Sequence, residues 1–235
     1  MTPFIAEMVG TALLITFGTG VVANVILSKT KGNGGGLIAI TFGWAMAVFI
    51  GVYAASGSSG AHLNPAVTIG LAVIGKFEWT LVPTYLVAQL LGSLIGSLIV
   101  WMIYREHFDS TEDPEVKLAC FATSPAIRNT SQNFATELLA TAIFMVAILF
   151  IVKPTNTLGS VDALPVALVV LAIGLSLGGP TGYAINPARD LGPRIMHAIL
   201  PIKNKGKSDW GYAWVPVVGP ICGAILGVLI YNKLV

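Results

Sequence analysis

The sequence predicts an all-α membrane protein with six transmembrane helices, two half-membrane helices and an inverted internal repeat. Three observations lead to this fold class. Of the 235 residues, 55% are hydrophobic and 10% are charged, whereas a soluble domain carries roughly 25% charged residues. Six apolar runs are long enough to cross a bilayer, and two others are too short. The order of these segments in the first half of the chain recurs in the second half.

A helix that spans the hydrocarbon core needs roughly 20 predominantly apolar residues. The runs that meet this requirement cover about 4–27, 37–56, 80–104, 133–152, 162–179 and 212–232. The segments between them are polar, as in the acidic stretch YREHFDSTEDPEVK and the basic loop PIKNKGKSDWG. Because no charged segment precedes the first run, we interpret that run as a retained helix and not as a cleaved signal.

Two further apolar segments are too short to cross, namely PAVTIGLAVIG from Pro65 and PARDLGPRIMHAIL from Pro187. About ten residues at 1.5 Å each cover some 15 Å, which is half of the hydrocarbon core. Each segment begins with the Pro of an Asn-Pro pair, and Asn is a favoured N-cap while Pro is a favoured first helical residue. The Asn side-chain oxygen can accept a hydrogen bond from a first-turn N–H, so we expect its amide donors to be free to face a passing molecule. Two half-crossings that meet end to end make one complete crossing, so we expect the two N-termini to meet in mid-membrane.

The chain repeats internally. FIAEMVGTALLITFG is echoed by NFATELLATAIFMVAI, which aligns Glu7 with Glu137. Each half contains three spans and one short helix, and an odd number of spans gives the second copy the opposite direction. We therefore expect residues 1–235 to form a single transmembrane channel domain with repeat halves of about 1–110 and 130–235. The two copies of the capping motif are Asn64, Pro65 and Ala66, and Asn186, Pro187 and Ala188.

Irregular backbone at membrane depth is tolerated only where it is buried in protein or lines a water-filled cavity. We expect the residues before each cap to be extended, with carbonyl oxygens that form a ladder of acceptors along a pore. The two converging helix N-termini each carry roughly half a positive charge, which repels cations and leaves neutral hydroxyl compounds unhindered. The ladder residues are Gly60, Ala61, His62 and Leu63 in the first half and Gly182, Ala184 and Ile185 in the second.

The stretches SGAHLNPAVT and GYAINPARD resemble the paired signature of the major intrinsic protein (aquaporin) family, and the resemblance covers essentially the whole chain. It implies the aquaporin fold and a homotetramer of independently conducting monomers in membrane lipid. It also implies a plasma (inner) membrane protein with both termini in the cytoplasm. The Lys and Arg content of the loops favours the reverse orientation, but a pore fold with six packed spans is hard to invert.

The resemblance also implies a selectivity filter. In the family, this constriction is built by an Arg after the second capping motif and by three positions at fixed spacing. An Arg in the first turn of a helix opposes the helix dipole, and a residue placed against its own energetics is a functional candidate. The filter positions resemble the aquaglyceroporin branch, because water-selective members carry a His where this chain has Gly. The four positions are Trp44, Gly174, Tyr183 and Arg189.

Four further charged residues are expected to support the pore loops. Asp190 and Arg194 are spaced as a favourable i, i+4 pair and resemble the glycerol-conducting branch. Glu7 and Glu137 are intramembrane carboxyls, and such residues are functional by default. We interpret them as acceptors for N–H groups of the extended segments, with proton carriage as the alternative.

These features predict a passive channel for glycerol, other small neutral solutes and water that excludes ions and protons. The alternatives are a water-selective channel and an ion-coupled secondary transporter, since inverted repeats with broken helices also build transporters. The sequence has no nucleophile–base set, so we expect no enzymatic activity and no cofactor. Cys120 and Cys222 fit no metal or redox spacing, and a net charge of +2 is too small to imply a nucleic-acid partner.

Overall fold

The computed structural model describes residues 1–151 and 156–235 and contains nine α-helices within those ranges. Six helical segments of the described chain are long and apolar enough to cross a membrane, which confirms the predicted spans: α1, α2, α6 and α9, together with Trp79–Ser110, which contains α4, and Gly159–Leu177, which contains α7. Short 3-10 helices at Trp79–Leu81 and Gly159–Ala163 lead into α4 and α7. The helices are α1 Pro3–Ile26, α2 Gly36–Ser59, α3 Pro65–Val73, α4 Val82–Ser110, α5 Pro114–Ala119, α6 Thr130–Leu149, α7 Leu164–Leu177, α8 Pro187–Ile199 and α9 Val215–Leu234.

The largest difference from the predicted elements lies in the acidic stretch after the third span. Helix α4 continues to Ser110, because hydropathy marks only the apolar part of a helix and not its charged final turns. Helix α5 was not predicted, although Asp113 caps it through the Glu115 N–H and Pro114 is its first residue. The end of the predicted fourth span, residue 152, lies outside the described residues.

The helices of the two halves correspond in order, with α1 to α4 matching α6 to α9. Within the halves, α1 packs against α2 and α4, and α6 packs against α7 and α9. The short helices cross over, because α3 packs on α9 and α8 packs on α4. Each half-membrane helix is therefore held by the last helix of the opposite half.

In the helix pair α1–α4 and in the helix pair α6–α9, the two helices of the pair approach each other closely at a glycine. The glycines of the two pairs are at matching positions. A Cβ added at Gly96 of α4 would lie 2.6 Å from the Ala12 carbonyl oxygen, and one at Gly227 of α9 would lie 2.6 Å from that of Ala142. Small residues at such contacts let membrane helices pack backbone to backbone. The equal distances show that the repeat extends to the packing of the helices.

Candidate functional site

The two half-membrane helices meet at their N-termini. The Asn64 side chain accepts a hydrogen bond from the Ala66 N–H at 2.9 Å, and Asn186 accepts one from the Ala188 N–H at 3.0 Å. The Asn64 Nδ2 donates to the Ile185 carbonyl at 2.8 Å, and the Asn186 Nδ2 donates to that of Leu63 at 2.9 Å. Each cap is thus completed by the opposite half.

These cross-links refine one expectation from the sequence. We expected the amide donors of Asn64 and Asn186 to be free to face a passing molecule. One N–H of each amide is instead used by the opposite half. Because a side-chain amide carries two donors, one N–H of each Asn remains for a solute.

The extended segments before the two caps have matching backbone strain. Ala61 and Leu63 have φ angles of 52° and 51°, and Tyr183 and Ile185 have φ angles of 38° and 44°. A non-glycine residue in this left-handed region costs about 1–3 kcal/mol and persists only where its surroundings enforce it. Strain repeated at two equivalent places indicates that the path of these segments is imposed by the rest of the fold.

Glu7 provides that support in the first half. Its Oε1 accepts hydrogen bonds from the Ser59 hydroxyl at 2.7 Å and the His62 N–H at 2.9 Å. Its Oε2 accepts from the Leu63 N–H at 2.7 Å and the Gln89 amide at 2.8 Å. The carboxyl group is fully buried, and four donors around it offset the cost of removing it from water.

Glu137 occupies the equivalent place in the second half. It accepts hydrogen bonds from the Thr181 hydroxyl at 2.7 Å and from the N–H groups of Ala184 and Ile185, both at 3.0 Å. The hydroxyl partners Ser59 and Thr181 were not predicted from the sequence. A signal was present, because each stands five residues before a capping Asn.

His62 lies beside the first cap with its ring held on two sides. Its ring centroid is 4.7 Å from that of Phe77 and 5.0 Å from that of Tyr85. Its Nδ1 lies 3.1 Å from the Thr68 hydroxyl, and Thr68 is a member of α3. The ring therefore joins the extended segment to the half-membrane helix that follows it.

A single cavity of about 1550 Å³ runs past both caps and is lined by residues of both halves. Its lining includes Trp44, Tyr183 and Arg189, and also Lys76 and Asp162. Every predicted ladder residue except Gly182 lines it within the described part of the chain: Gly60, Ala61, His62, Leu63, Ala184 and Ile185. The extended segments therefore form one wall of a passage.

Three of the four predicted filter residues line this cavity. The Arg189 Cζ lies 4.4 Å from the centroid of the Trp44 ring, which is within cation–π range. Gly174 lies behind the ring of Tyr183, because a Cβ at Gly174 would be 2.9 Å from the Tyr183 Cζ and 3.1 Å from its hydroxyl. The tyrosine thus fills the space that the glycine leaves open.

The Arg189 guanidinium is free of carboxylate partners among residues 1–151 and 156–235. The ion pairs found there are Arg128–Asp209 and Arg194–Asp190, and neither includes it. A planar guanidinium has five N–H donors and no acceptor. Arg189 therefore presents donors without a carboxylate partner to the cavity that Trp44 and Tyr183 also line.

Asp190 and Arg194 form a buried pair that organises the adjacent loops. The Arg194 Nε donates to the Asp190 Oδ1 at 2.8 Å, and both side chains have zero exposure. The Thr123 N–H and hydroxyl both donate to the Asp190 Oδ2 at 2.7 Å. Arg194 also donates to the carbonyls of Thr123 at 2.9 Å and Ser208 at 2.8 Å. The pair thereby ties the loops before α6 and before α9 to α8, next to Arg189.

Two cations hold the loop before α9: Arg128, which is exposed and lies just before α6, and Lys205, which is half-buried within that loop. A hydrogen bond with Asp209 raises the pKa of Arg128 above its ordinary value, and an Arg side chain stays protonated in proteins in any case. Lys205 donates to the carbonyl oxygens of Ala198 and Leu200 at the C-terminal end of α8. A cation at this end of a helix interacts favourably with the helix dipole.

Six membrane-spanning helices, two half-membrane helices that meet at capped N-termini, and a passage beside them define an integral multi-pass membrane protein. The model of a family described as "Major intrinsic protein" matches residues 1–231. The chain belongs to the major intrinsic protein family.

Individual relatives agree with this assignment. The chain is 52% identical over 234 residues to the "Probable glycerol uptake facilitator protein" of Thermotoga maritima, with 100% of both chains covered. It is 51% identical over 232 residues to the "Glycerol uptake facilitator protein" of Bacillus subtilis, covering 99% of this chain and 84% of that relative. Among solved structures, it resembles the aquaglyceroporin from Plasmodium falciparum with a TM-score of 0.87 and 35% identity, covering 98% of this chain and 95% of that one.

Proposed function

We propose that this protein is a passive channel that conducts glycerol, other small neutral solutes and water and excludes ions and protons. The observation that carries the proposal is one cavity whose lining includes both capping asparagines together with Trp44, Tyr183 and Arg189. The similarity to glycerol uptake facilitators and to an aquaglyceroporin supports it.

The filter suits a molecule with one apolar and one polar side. Trp44 and Tyr183 offer aromatic walls to a carbon backbone, and Arg189 offers donors to hydroxyl oxygens. Beyond the filter, the hydroxyl hydrogens of the solute meet the ladder carbonyls, and the free N–H groups of Asn64 and Asn186 meet its oxygens. Every polar group of a small polyol finds a partner, so its loss of water is compensated.

Charged species lose this compensation. A cation at the caps faces two helix N-termini, each with roughly half a positive charge, and the Arg189 guanidinium repels it at the filter. The same field opposes a proton moving along a file of water. We infer that neutral molecules are selected mainly by this electrostatic barrier and by the width of the filter.

The environment of the two buried glutamates favours a passive channel over an ion-coupled transporter. A transporter of that class needs an acid that faces the path and exchanges a proton or an ion. Glu7 accepts four hydrogen bonds and Glu137 accepts three, all from groups that shape the loops. Among the described residues, neither lines the cavity. We propose that they position the ladder and carry no proton.

The function is tested with purified protein reconstituted into vesicles and followed by stopped-flow light scattering. We expect glycerol and water permeability far above that of empty vesicles, and no change when proton and sodium gradients are collapsed. Flux that disappears with either gradient would support a coupled transporter. Water flux without glycerol flux would support the water-selective alternative.

We further infer that the whole chain forms one channel domain, with repeat halves of about 1–110 and 130–235, and that it assembles as a homotetramer in the lipid of the plasma membrane. The major intrinsic protein family supports this assembly. We propose that both termini lie in the cytoplasm. That side would carry only Lys76, Lys233 and Lys153, which is outside the described residues, so the larger Lys and Arg content of the opposite side favours the reverse orientation.

The orientation is tested by labelling two exposed loop positions in intact cells with a membrane-impermeant maleimide. In the proposed topology, Asn204→Cys in the loop before α9 reacts directly, and Glu78→Cys after α3 reacts only after permeabilisation. Both positions are exposed. The reverse pattern of labelling would show that the positive-inside rule decides the orientation of this protein.

A further inference from the structure

The ring of Trp44 lies in a space that a glycine of α1 leaves open. A Cβ added at Gly18 would lie 2.6 Å from the Trp44 Cη2 and closer still to its Cε3 and Cζ3. Real Cβ atoms essentially never come within 3.0 Å of such neighbours. The indole therefore occupies the volume that any other residue at position 18 needs.

The second aromatic of the filter is backed in the same way. A Cβ at Gly178, which caps α7, would lie 2.5 Å from the Tyr183 Cδ1 and 2.9 Å from its Cε1. Gly174, one turn earlier, leaves room for the end of the same ring. Both aromatic walls are thus recessed into glycine positions, one on α1, which carries no filter residue, and one at the end of α7, which also carries Gly174.

We propose that Gly18 and Gly178 are positioning residues for the selectivity filter. By leaving room behind Trp44 and Tyr183, they set how far the two rings withdraw from the passage and hence how wide a solute can pass. This inference rests on the proposed function, because it concerns the width of the same constriction.

The physical argument follows from close packing. Gly in a helix interior makes the helix less stable than Ala would. The stability of α1 therefore does not explain why position 18 is a glycine. Protein interiors hold few voids larger than a water molecule. A ring displaced from behind by a methyl group therefore moves toward the cavity that it lines, and toward the Arg189 guanidinium, whose Cζ is 4.4 Å from the ring centroid.

The test is Gly18→Ala in reconstituted vesicles, with glycerol and water permeability measured per assembled channel. We expect glycerol permeability to fall about tenfold, the penalty typical of overpacking a filled space, while water permeability falls much less. Gly20→Ala on the same helix is the matched control. A Cβ there meets only the Val100 Cγ2, at an ordinary 3.8 Å, so we expect both permeabilities to stay unchanged.

A second experiment separates positioning from a general loss of stability. In a Trp44→Ala background, the methyl group of Gly18→Ala has no ring to displace, so we expect it to cause no further change in glycerol permeability. A loss as large as in the wild-type background would overturn the proposal. An equal fall of glycerol and water permeability in the single variant would also overturn it.

The Tyr183 side offers an independent pair of variants should Gly18→Ala fail to assemble. Gly178→Ala is expected to lower the ratio of glycerol to water permeability. Gly179→Ala, at a neighbouring position with no atom within 4 Å of the added Cβ, is expected to leave it unchanged. Equal ratios in the two variants would overturn the proposal. Failure of the wild-type protein itself to pass glycerol would instead refute the proposed function.

Discussion

Gly174→His combined with Tyr183→Thr is expected to suppress glycerol permeability and to retain water permeability. The double change removes one aromatic wall and places an imidazole where the Tyr183 ring now lies. The imidazole narrows the passage and replaces an apolar surface with a hydrogen-bonding one. A carbon backbone then has one wall fewer to pack against, whereas a water molecule gains a partner.

Both substitutions are needed because the two positions share one volume. A side chain at Gly174 would meet the Thr41 methyl group on α2 in both variants, but it would meet the Tyr183 ring only in the single one, so Tyr183→Thr removes the second collision. The single Gly174→His variant is therefore the control, and we expect it to lose both permeabilities or to assemble poorly. The measurement is light scattering on vesicles with matched channel content. Unchanged glycerol permeability in the double variant would mean that the constriction lies elsewhere.

Replacing Arg194 by Met is expected to destabilise the protein by about 3–5 kcal/mol, the usual cost of leaving one member of a buried ion pair unpaired. The change leaves the buried Asp190 carboxylate with only the Thr123 donors. It also removes the hydrogen bonds to the Thr123 and Ser208 carbonyls. We expect a marked fall in the thermal unfolding midpoint of the detergent-solubilised channel, together with reduced glycerol flux.

Arg128→Ala is the matched control for this prediction, because it breaks the other ion pair of the same loop region. The Arg128 side chain is 56% exposed, and exposed pairs contribute about 0–1 kcal/mol. We therefore expect a small shift of the unfolding midpoint and unchanged flux. Similar midpoint shifts in the two variants would show that burial does not distinguish these ion pairs.

The elements of the fold that are local in sequence could be predicted from it. A transmembrane span is determined by about twenty consecutive apolar side chains, so all six spans could be predicted from the sequence. Asn-Pro pairs mark a helix start by chemistry confined to two residues, and α3 and α8 begin accordingly at Pro65 and Pro187. Helix α5, which lies in the acidic stretch, was not predicted, because a polar helix of six residues gives no hydropathy signal.

The partners of the site are long-range and were largely missed. Gln89 reaches Glu7 across 82 positions of sequence, and Thr123 reaches Asp190 across 67. No pattern in one sequence links residues so far apart when their side chains are common ones. The place of Gly18 behind Trp44 is of the same kind, since it depends on the crossing of α1 and α2. The filter positions were therefore identified from the family resemblance. How far their aromatic rings are recessed from the cavity became visible only from the packing of the helices.

The hydrogen bonds that join each cap to the opposite half have a consequence for the biosynthesis of the channel. Until the ribosome has delivered the second half of the chain, the Asn64 amide lacks the Ile185 carbonyl and α3 lacks the surface of α9. An unsatisfied amide in hydrocarbon costs several kcal/mol, so a nascent first half is poorly suited to bare lipid. Until then, its re-entrant loop must be in contact with water or with another protein. The two halves therefore adopt their final packing together.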